Sequence, residues 1–302
     1  MSADALLLGV DGGGTRCRAR LCAASGAWLG EGSAGPANIR RGMEPAFAAV
    51  LESGMACLRQ AGLSPRDLPR VTACLALAGA SEPAELAAAQ RHQHPFGHVI
   101  VTSDAHAACV GAHGGRDGAV IVVGTGSIGW AELNGRQHRV GGWGLPVSDE
   151  GSGAWLGAEA LRRVLWAHDG RLPWTGLLTN LFEEFDADPH AIVRWASAAA
   201  PRDFAALAPR LVAYALLNDP AAVELMRLAA SHVDALAARL IAFGVKRVAL
   251  TGGLATHIER WLSPETRHHL VAPAGDALDG ALALARAGAG SAVDAMPRRS
   301  AR

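Results

Sequence analysis

Two glycine-rich segments, each of which follows an apolar run and leads into a run of alternating polarity, have the composition of turns that bind phosphate groups. The first is Asp11-Gly12-Gly13-Gly14-Thr15, and the second is Gly124-Thr125-Gly126-Ser127. Glycine tolerates positive φ and has no Cβ, so consecutive backbone N–H groups in such turns can converge on an anion. Lys246 is the only lysine of the chain, which excludes a lysine-containing P-loop. A polyphosphate would therefore be held by backbone amides, hydroxyl groups and Mg²⁺.

Asp11 directly follows the first apolar run, at residues 6–10. A carboxylate in this position could hold Mg²⁺ through water, while the glycine amides and the Thr15 hydroxyl bind phosphate oxygens. An ordinary Asp-Gly hairpin turn is the alternative for Asp11 taken alone. The presence of the second glycine-rich turn favours the nucleotide site.

A third turn, Thr251-Gly252-Gly253-Leu254, also follows an apolar run. Two glycines in succession would let a flat ring lie close against the backbone. An ordinary connection between a strand and a helix is the alternative.

The hydrophobic pattern predicts an α/β protein in which a three-stranded unit occurs twice. The predicted strands of the two units lie at 6–10, 16–23 and 27–32, and at 119–123, 128–133 and 136–140. Further strands are predicted at 71–77, 98–101 and 246–250, and helices at 44–61, 83–90, from 103 onward, and through most of 152–243. The repeat predicts two domains, at 1–116 and 117–275, with a helical insertion at 152–243, a closing helix at 276–287 and a flexible tail at 288–302.

Composition restricts the class of partner. The chain has 302 residues, of which 50% are hydrophobic, and a formal net charge of zero. Without a block of basic residues before the C-terminal tail there is no electrostatic case for nucleic acid or membrane binding. No apolar stretch is long enough to span a bilayer, and the N-terminus lacks the basic region of a signal peptide, so we expect a cytoplasmic protein with a small-molecule partner. The five cysteines show no C-x-x-C spacing, which predicts reduced thiols.

The three turns, the repeated strand unit and the closing segment Asp279-Gly280-Ala281-Leu282-Ala283-Leu284-Ala285 resemble the actin, Hsp70 and sugar-kinase superfamily of ATPases. The resemblance covers nearly the whole chain. It implies two ribonuclease-H-like domains that close over ATP in an interdomain cleft, with Mg²⁺ as the cofactor and the closing helix packed on the first domain. It also implies that Gly252 and Gly253 contact the adenosine.

The most specific segment is Gly141-Gly142-Trp143-Gly144-Leu145-Pro146-Val147-Ser148-Asp149-Glu150-Gly151-Ser152-Gly153-Ala154-Trp155-Leu156-Gly157. It is similar to the sugar-site signature of N-acetylglucosamine kinases and bacterial glucosamine kinases, which are grouped with the BadF/BadG/BcrA/BcrD-type ATPases. The resemblance implies that Gly141, Gly142, Trp143 and Asp149 bind the sugar. A carboxylate can accept hydrogen bonds from sugar hydroxyls, and glycines let the backbone approach the ring. Alternatively, Asp149 and Ser152 cap the following helix, a role that can coexist with sugar binding.

The same family has a catalytic aspartate at the position that Asp104 occupies. As a general base, Asp104 would accept the proton of the attacking sugar hydroxyl, which typically contributes about 10²- to 10⁴-fold in rate. A plain helix N-cap is the alternative for Asp104. The family also places a sugar-binding asparagine at Asn38, which could equally be a turn residue, and Ala78 with Gly79 would line the same pocket. Arg16 stands where relatives often carry lysine.

The resemblance as a whole implies ATP-dependent phosphorylation of the 6-hydroxyl of an amino sugar by a homodimer. N-acetylglucosamine is the first expected substrate, and glucosamine is the second. Two other functions are considered. An activator ATPase of an acyl-CoA dehydratase or reductase would need clustered cysteine ligands, and no cysteine here follows a glycine turn of the second domain. A catalytically silent sugar sensor is disfavoured by the intact Asp11, Asp104 and both phosphate turns.

Overall fold

The computed structural model describes residues 5–294, and the surroundings of the side chains of residues 5–289. The described residues form two compact units. The first contains the chain up to Asp117 and again from Pro273, and the second is Gly118–Ala272. Whether each unit is a domain that folds on its own stays a prediction.

The first unit contains a five-stranded mixed sheet of order β3-β2-β1-β4-β5. Neighbouring strands are antiparallel from β1 to β3, whereas β1, β4 and β5 run parallel. The strands are β1 Leu6–Gly12, β2 Cys17–Ala23, β3 Trp28–Ala34, β4 Val71–Leu77 and β5 His98–Ser103. The central strands β1 and β4 are almost entirely buried, as their continuous apolar sequences require of strands covered on both faces.

Four helices pack on this sheet: α1 Met43–Gln60, α2 Pro83–Arg91, α3 Asp104–His113 and α12 Ala277–Asp294. Glycines allow α3 and α12 to approach each other closely. A Cβ on Gly280 would lie 1.8 Å from the Ala107 oxygen, and one on Gly111 would lie 1.9 Å from the Asp276 oxygen. Helix α3, which begins at Asp104, is therefore fixed against the closing helix.

Helix α12 extends to Asp294, so the flexible tail predicted from residue 288 begins too early. The small side chains of Ala281, Ala285 and Ala289 follow one another at four-residue spacing and are buried. They belong to an apolar cluster with Leu7 and Cys74 of the sheet. This packing stabilises the end of the helix, where Gly288 and Gly290 lower the intrinsic helix preference. Residues 295–302 of the predicted tail lie outside the described residues.

The second unit repeats the arrangement with a four-stranded sheet of order β8-β7-β6-β9. Strands β6, β7 and β8 form an antiparallel meander, and β9 pairs with β6 in parallel. The strands are β6 Gly118–Val123, β7 Ser127–Leu133, β8 Arg136–Gly141 and β9 Val248–Thr251. The predicted α/β class and the predicted repeat of a three-stranded meander are confirmed.

The helices of the second unit are α4 Gly153–His168, α5 Gly176–Glu183, α6 Pro189–Ala198, α7 Pro201–Ala205, α8 Ala208–Leu216, α9 Pro220–Ala242, α10 Ala255–Ile258 and α11 Pro264–His269. One hydrophobic core joins this helical region to the sheet, and Leu156, Leu211 and Leu225 are completely buried in it. The helical region predicted through most of 152–243 is divided near its middle, since α7 ends at Ala205 and α8 begins with Pro209 in its first turn.

All five cysteines are buried and lie in the first unit. Burial raises the pKa of the Cys57 and Cys74 thiols to about 12, and that of the Cys17 thiol to about 11. These three thiols are therefore protonated and poorly nucleophilic at neutral pH. Among residues 5–294, no helix combines the length and the apolar character needed to cross a bilayer.

Candidate functional site

The first glycine-rich turn joins β1 to β2, and its backbone faces solvent. The Gly13 N–H donates to the Arg16 oxygen at 3.0 Å, which closes the turn. Gly12 is buried, Gly13 and Gly14 are half-buried, and Thr15 is exposed. A Cβ on Gly14 would meet nothing within 4 Å, so space is open beside the turn. The Gly13 N–H is thus used within the turn, and the open space leaves room for an anion beside the Gly14 backbone.

Asp11 forms an ion pair that the sequence analysis missed. Arg18 lies opposite Asp11 in the pairing of β1 with β2, and its Nη2 and Nε donate to Asp11 Oδ2 at 2.7 and 3.2 Å. Arg18 Nη1 also donates to Asp276 Oδ2 at 3.1 Å. Burial acts to lower the pKa of Arg18, but the hydrogen bonds and charges of the two carboxylates outweigh it and raise the pKa. The hairpin register, once the turn length is known, would have revealed this partner.

Two loops lie directly against the first turn. The Ala78 N–H donates to the Gly12 oxygen at 2.7 Å, and the Ala37 N–H donates to the Gly13 oxygen at 3.0 Å. Gly79 has a φ of +94°, and a Cβ there would lie 3.1 Å from Asn38 Oδ1. Asn38, Ala78 and Gly79 thus lie beside the first glycine-rich turn. The prediction that these three residues line one pocket requires them to be close together in this way.

Asn38 Oδ1 accepts from the Arg40 N–H at 3.0 Å and thereby caps the short 3₁₀ helix Ile39–Arg41. The turn role considered from the sequence is therefore present. The bond uses the side-chain oxygen, and the amide group also carries a donor. Sugar binding by Asn38 stays a prediction.

Asp104 is the first residue of α3, at the carboxyl end of β5. The N-cap is Ser103, whose Oγ accepts from the His106 N–H at 3.1 Å, so the alternative of Asp104 as a plain N-cap is wrong. Asp104 Oδ1 accepts from the Ala105 N–H at 2.9 Å. A helix N-terminus is a favourable position for a carboxylate, because the exposed N–H groups there carry partial positive charge.

The sheet register places these parts of the first unit along one edge. Gly12 pairs with Leu77, and Leu77 pairs with Ser103. The carboxyl ends of three neighbouring parallel strands therefore lead into the first glycine-rich turn, the Ala78-Gly79 loop and Asp104. Ligands of α/β sheets bind at this end of the strands.

The second glycine-rich turn is bonded to the N-terminus of α4. The N–H groups of Gly153 and Ala154 donate to the oxygens of Gly124 and Thr125 at 2.8 and 3.1 Å. Ser127 is buried, and its Oγ donates to the Glu150 oxygen at 2.7 Å. Ser127 thus joins the turn to the 141–157 segment, and its predicted phosphate contact stays a prediction.

Asp149 lies against the second turn. A Cβ on Gly126 would be 2.3 Å from Asp149 Oδ2, and Asp149 Oδ1 accepts from the Gly144 N–H at 2.9 Å. Asp149 has a φ of +67°. The N-cap of α4 is Ser152, whose Oγ accepts from the Trp155 N–H at 3.2 Å. Of the two caps considered from the sequence, Ser152 is the one that forms.

Trp143 is 62% exposed, within a loop whose glycines 141, 142 and 144 all have positive φ. Arg139 stacks on the indole, with Cζ 3.9 Å from the ring centroid. Its Nε and Nη2 donate to the oxygens of Gly141 and Gly142 at 3.0 and 2.5 Å. The sequence analysis missed Arg139, because this contact depends on the path of the glycine loop.

The third turn lies beside the second. Gly252 has a φ of +98°, and a Cβ there would be 2.4 Å from the Val123 oxygen, so only glycine fits. The Leu254 N–H donates to the same oxygen at 3.0 Å. A Cβ on Gly253 would meet nothing within 4 Å, which leaves open space over its backbone.

The structure thus assembles the predicted residues into two groups, one in each unit. The first group is Asp11, Gly12, Gly13, Gly14, Thr15, Asn38, Ala78, Gly79 and Asp104. The second is Gly124, Thr125, Gly126, Ser127, Gly141, Gly142, Trp143, Asp149, Gly252 and Gly253. In the part of the chain that the structure describes, no three His, Cys, Asp or Glu side chains converge as metal ligands.

The model of the BadF/BadG/BcrA/BcrD ATPase family matches residues 8–285 of the chain. Among curated proteins, the chain is 40% identical to glucosamine kinase GspK of Vibrio cholerae over 278 residues, which cover 92% of this chain and 95% of the relative. The resemblance inferred from the sequence motifs is confirmed.

Among solved structures, the fold is similar to that of a candidate N-acetylglucosamine kinase from Chromobacterium violaceum. The TM-score is 0.87 at 36% identity, covering 93% of this chain and 99% of that one. Component A of (R)-2-hydroxyglutaryl-CoA dehydratase from Acidaminococcus fermentans has a TM-score of 0.52 at 15% identity, with 96% and 99% of the chains covered. The second likeness concerns the fold alone, and together they confirm the predicted actin-like ATPase fold.

Proposed function

Because the chain belongs to the BadF/BadG/BcrA/BcrD ATPase family, we propose that it is an ATP-dependent kinase of an amino sugar that phosphorylates the 6-hydroxyl. Glucosamine is placed before N-acetylglucosamine, the reverse of the order expected from the sequence motifs. The reason is the 40% identity to a curated glucosamine kinase over nearly its full length. The kinetic panel below decides between the two.

One observation carries the proposal. In the first unit, the glycine turn after β1 and Asp104 after β5 lie at the same edge of one parallel sheet, with the Ala78-Gly79 loop between them. Phosphate-binding amides and a candidate general base are thus supplied by neighbouring strand ends. Phosphoryl transfer depends mostly on positioning and on electrostatic stabilisation, which rigid strand ends provide.

Asp104 accepts the proton of the sugar hydroxyl as that oxygen attacks the γ-phosphorus. The first turn of α3 stabilises its carboxylate until the proton arrives, and the bond from the Ala105 N–H fixes Oδ1. Asn38 and the backbone at Gly79 orient the sugar. In the second unit, Asp149 accepts hydrogen bonds from sugar hydroxyls and Trp143 packs on an apolar face of the ring.

The donor set beside the first turn fits a magnesium nucleotide. A single carboxylate, Asp11, stands next to open backbone amides, which suits a cation that keeps most of its water and binds phosphate oxygens. When bound, Mg²⁺ neutralises charge on the phosphates. Arg18 holds the carboxylate of Asp11 in a fixed orientation for this contact.

The test is ADP release measured with glucosamine, N-acetylglucosamine, N-acetylmannosamine and glucose. We expect the highest kcat/KM with one of the first two sugars, and ³¹P–¹H NMR of the product to place the phosphate on the oxygen of C6. Absence of sugar-dependent ADP release over the whole panel would refute the kinase proposal. A phosphate on C1 would refute the 6-hydroxyl assignment alone.

A further inference from the structure

We propose that Arg139 is a positioning residue that fixes the Trp143 ring and the Gly141-Gly142 backbone for the sugar. The inference rests on the proposed sugar-binding role of this segment. Arg139 has three contacts with the segment: two hydrogen bonds to successive carbonyl oxygens and one stacking contact with the next side chain. No other arginine of the described chain combines these contacts.

The geometry of β8 explains why residue 139 can reach the loop. Residues two apart on a strand point to the same face, so the Arg139 side chain lies over Gly141. The strand ends at Gly141, and the chain then turns through glycines of φ +67° and +73°. Both carbonyls face the guanidinium as a result, and its planar donors bond them at 3.0 and 2.5 Å.

Other hydrogen bonds of this loop lie on its C-terminal side, where the Trp143 N–H donates to Ser148 Oγ at 3.4 Å and the Gly144 N–H donates to Asp149 Oδ1 at 2.9 Å. Glycines 141, 142 and 144 have large conformational freedom, and ordering them costs entropy that no side chain of their own offsets. Trp143 is 62% exposed, and a solvent-exposed ring can change rotamer. The guanidinium over the ring face contributes a cation–π contact at a distance well inside its range.

The arrangement has a consequence for the ligand. One indole face is covered by the guanidinium, so a sugar is expected on the opposite face. Because the ring is already ordered, binding costs less side-chain entropy than it would with a mobile ring. Lysine cannot replace arginine here, since an ammonium group lacks the planar fork that serves two carbonyls and stacks at the same time.

The first experiment needs no substrate. The chain has eight tryptophans, so the Trp143 signal is isolated as the fluorescence of each protein minus that of its W143F counterpart. In R139M we expect the acrylamide quenching constant of this component to rise at least twofold. For R139K we expect a quenching constant between those of the wild type and R139M. The matched control is R171M, which removes an arginine stacked on Trp166 at 4.7 Å and is expected to leave the component unchanged.

The second experiment measures KM and kcat separately. We expect R139M to raise the KM of the preferred amino sugar about tenfold, while kcat and the KM of ATP stay within twofold. R171M should retain all three constants. Thermal unfolding shows whether each variant is folded, and R139K serves if R139M is not.

Each outcome decides the proposal. Unchanged Trp143 quenching in R139M overturns it, and so does a raised sugar KM without a change in quenching. A kcat loss at unchanged sugar KM also overturns it, because positioning of a binding surface would not produce that pattern. If no sugar is phosphorylated by the wild type, the kinase proposal fails, whereas the quenching result still decides whether Arg139 orders Trp143.

Discussion

The two glycine-rich turns close equivalent hairpins, yet different kinds of contact hold them in place. Beside the first turn, the Asp11 carboxylate is bonded by Arg18, and Asp104 follows β5, two strands away from β1 in the same sheet. The second turn is bonded through its own carbonyls to the start of α4, in the segment that carries Asp149. The first unit therefore contributes charged groups suited to chemistry. The second contributes a backbone-ordered surface suited to binding.

If this contrast is correct, changes at the charged groups of the first unit, Asp104 and the Asp11–Arg18 pair, alter kcat or the use of Mg²⁺, and changes at Asp149 and its turn in the second unit alter the KM of the sugar. The largest effect is expected for D104N. The amide can still accept the bond from the Ala105 N–H but cannot take a proton at neutral pH. We expect kcat to fall by about 10²- to 10⁴-fold with the sugar KM changed less than threefold.

The control for D104N is S103A, which removes the cap of α3. We expect it to lower the free energy of unfolding by about 1 kcal/mol and to keep most of kcat. A folded D104N protein that binds sugar and phosphorylates it at the full rate would remove Asp104 as the base.

The second effect is expected for D149N, measured as the KM of the amino sugar. Asparagine tolerates the positive φ of this position, and its oxygen can still accept from the Gly144 N–H. The charge is lost and one acceptor oxygen becomes an NH₂ donor, so hydrogen bonds to the sugar weaken and KM rises by about 10- to 100-fold. S152A, which removes the actual cap of α4, should leave KM unchanged. Equal KM values for D149N and wild type would contradict the sugar role.

The sequence predicted the local parts of the site because each depends on short-range rules. Strand periodicity and glycine turns locate both hairpins, and an apolar run followed by Ser103-Asp104 locates the start of α3. Ion pairs such as Asp11 with Arg18 require the hairpin register, which a pattern of residue types leaves open. The stacking of Arg139 on Trp143 requires the path of a loop whose glycines permit many conformations.

At the C-terminal helix, the sequence predicted too little structure. The predicted tail includes residues 288–294, in which Gly288 and Gly290 weaken the intrinsic preference for a helix. Tertiary packing decides otherwise, because small side chains let α12 lie close against the sheet and α3. In the sequence, small residues that allow close packing look the same as a low-complexity tail. The two differ only in whether a neighbouring surface is there for the residues to pack on.

The third effect is expected from a comparison of two glycines within the second turn. In G126A the new Cβ would lie 2.3 Å from Asp149 Oδ2, so the carboxylate must move. In G124A the new Cβ would meet nothing within 4 Å. We expect G126A to raise the sugar KM about fivefold to tenfold, since a displacement of roughly 1 Å weakens hydrogen bonds steeply. G124A should keep the sugar KM. Equal KM values for the two variants would contradict the claim that the contact of Gly126 with Asp149 matters for sugar binding.

The smallest effect is expected for R18M, measured as the Mg²⁺ concentration that gives half-maximal activity. Arg18 orients the Asp11 carboxylate, and partners of that kind generally strengthen metal binding by the carboxylate that they fix. The guanidinium also repels the cation, but Asp276, its second carboxylate partner, offsets that charge. We therefore expect the half-maximal concentration to rise, by about threefold, because the phosphates carry most of the Mg²⁺ contact.

Arg20 provides the matched control for Arg18. It lies two residues along the same strand and bridges Glu31 and Asp279 in the same manner, away from the glycine turn. R18M and R20M should each lose at most about 1 kcal/mol in the free energy of unfolding, as partly exposed ion pairs do. Only R18M should change the Mg²⁺ dependence. If R20M raises the half-maximal Mg²⁺ concentration equally, the effect comes from the general surface charge. The proposal that Arg18 acts through Asp11 at the first turn would then be contradicted.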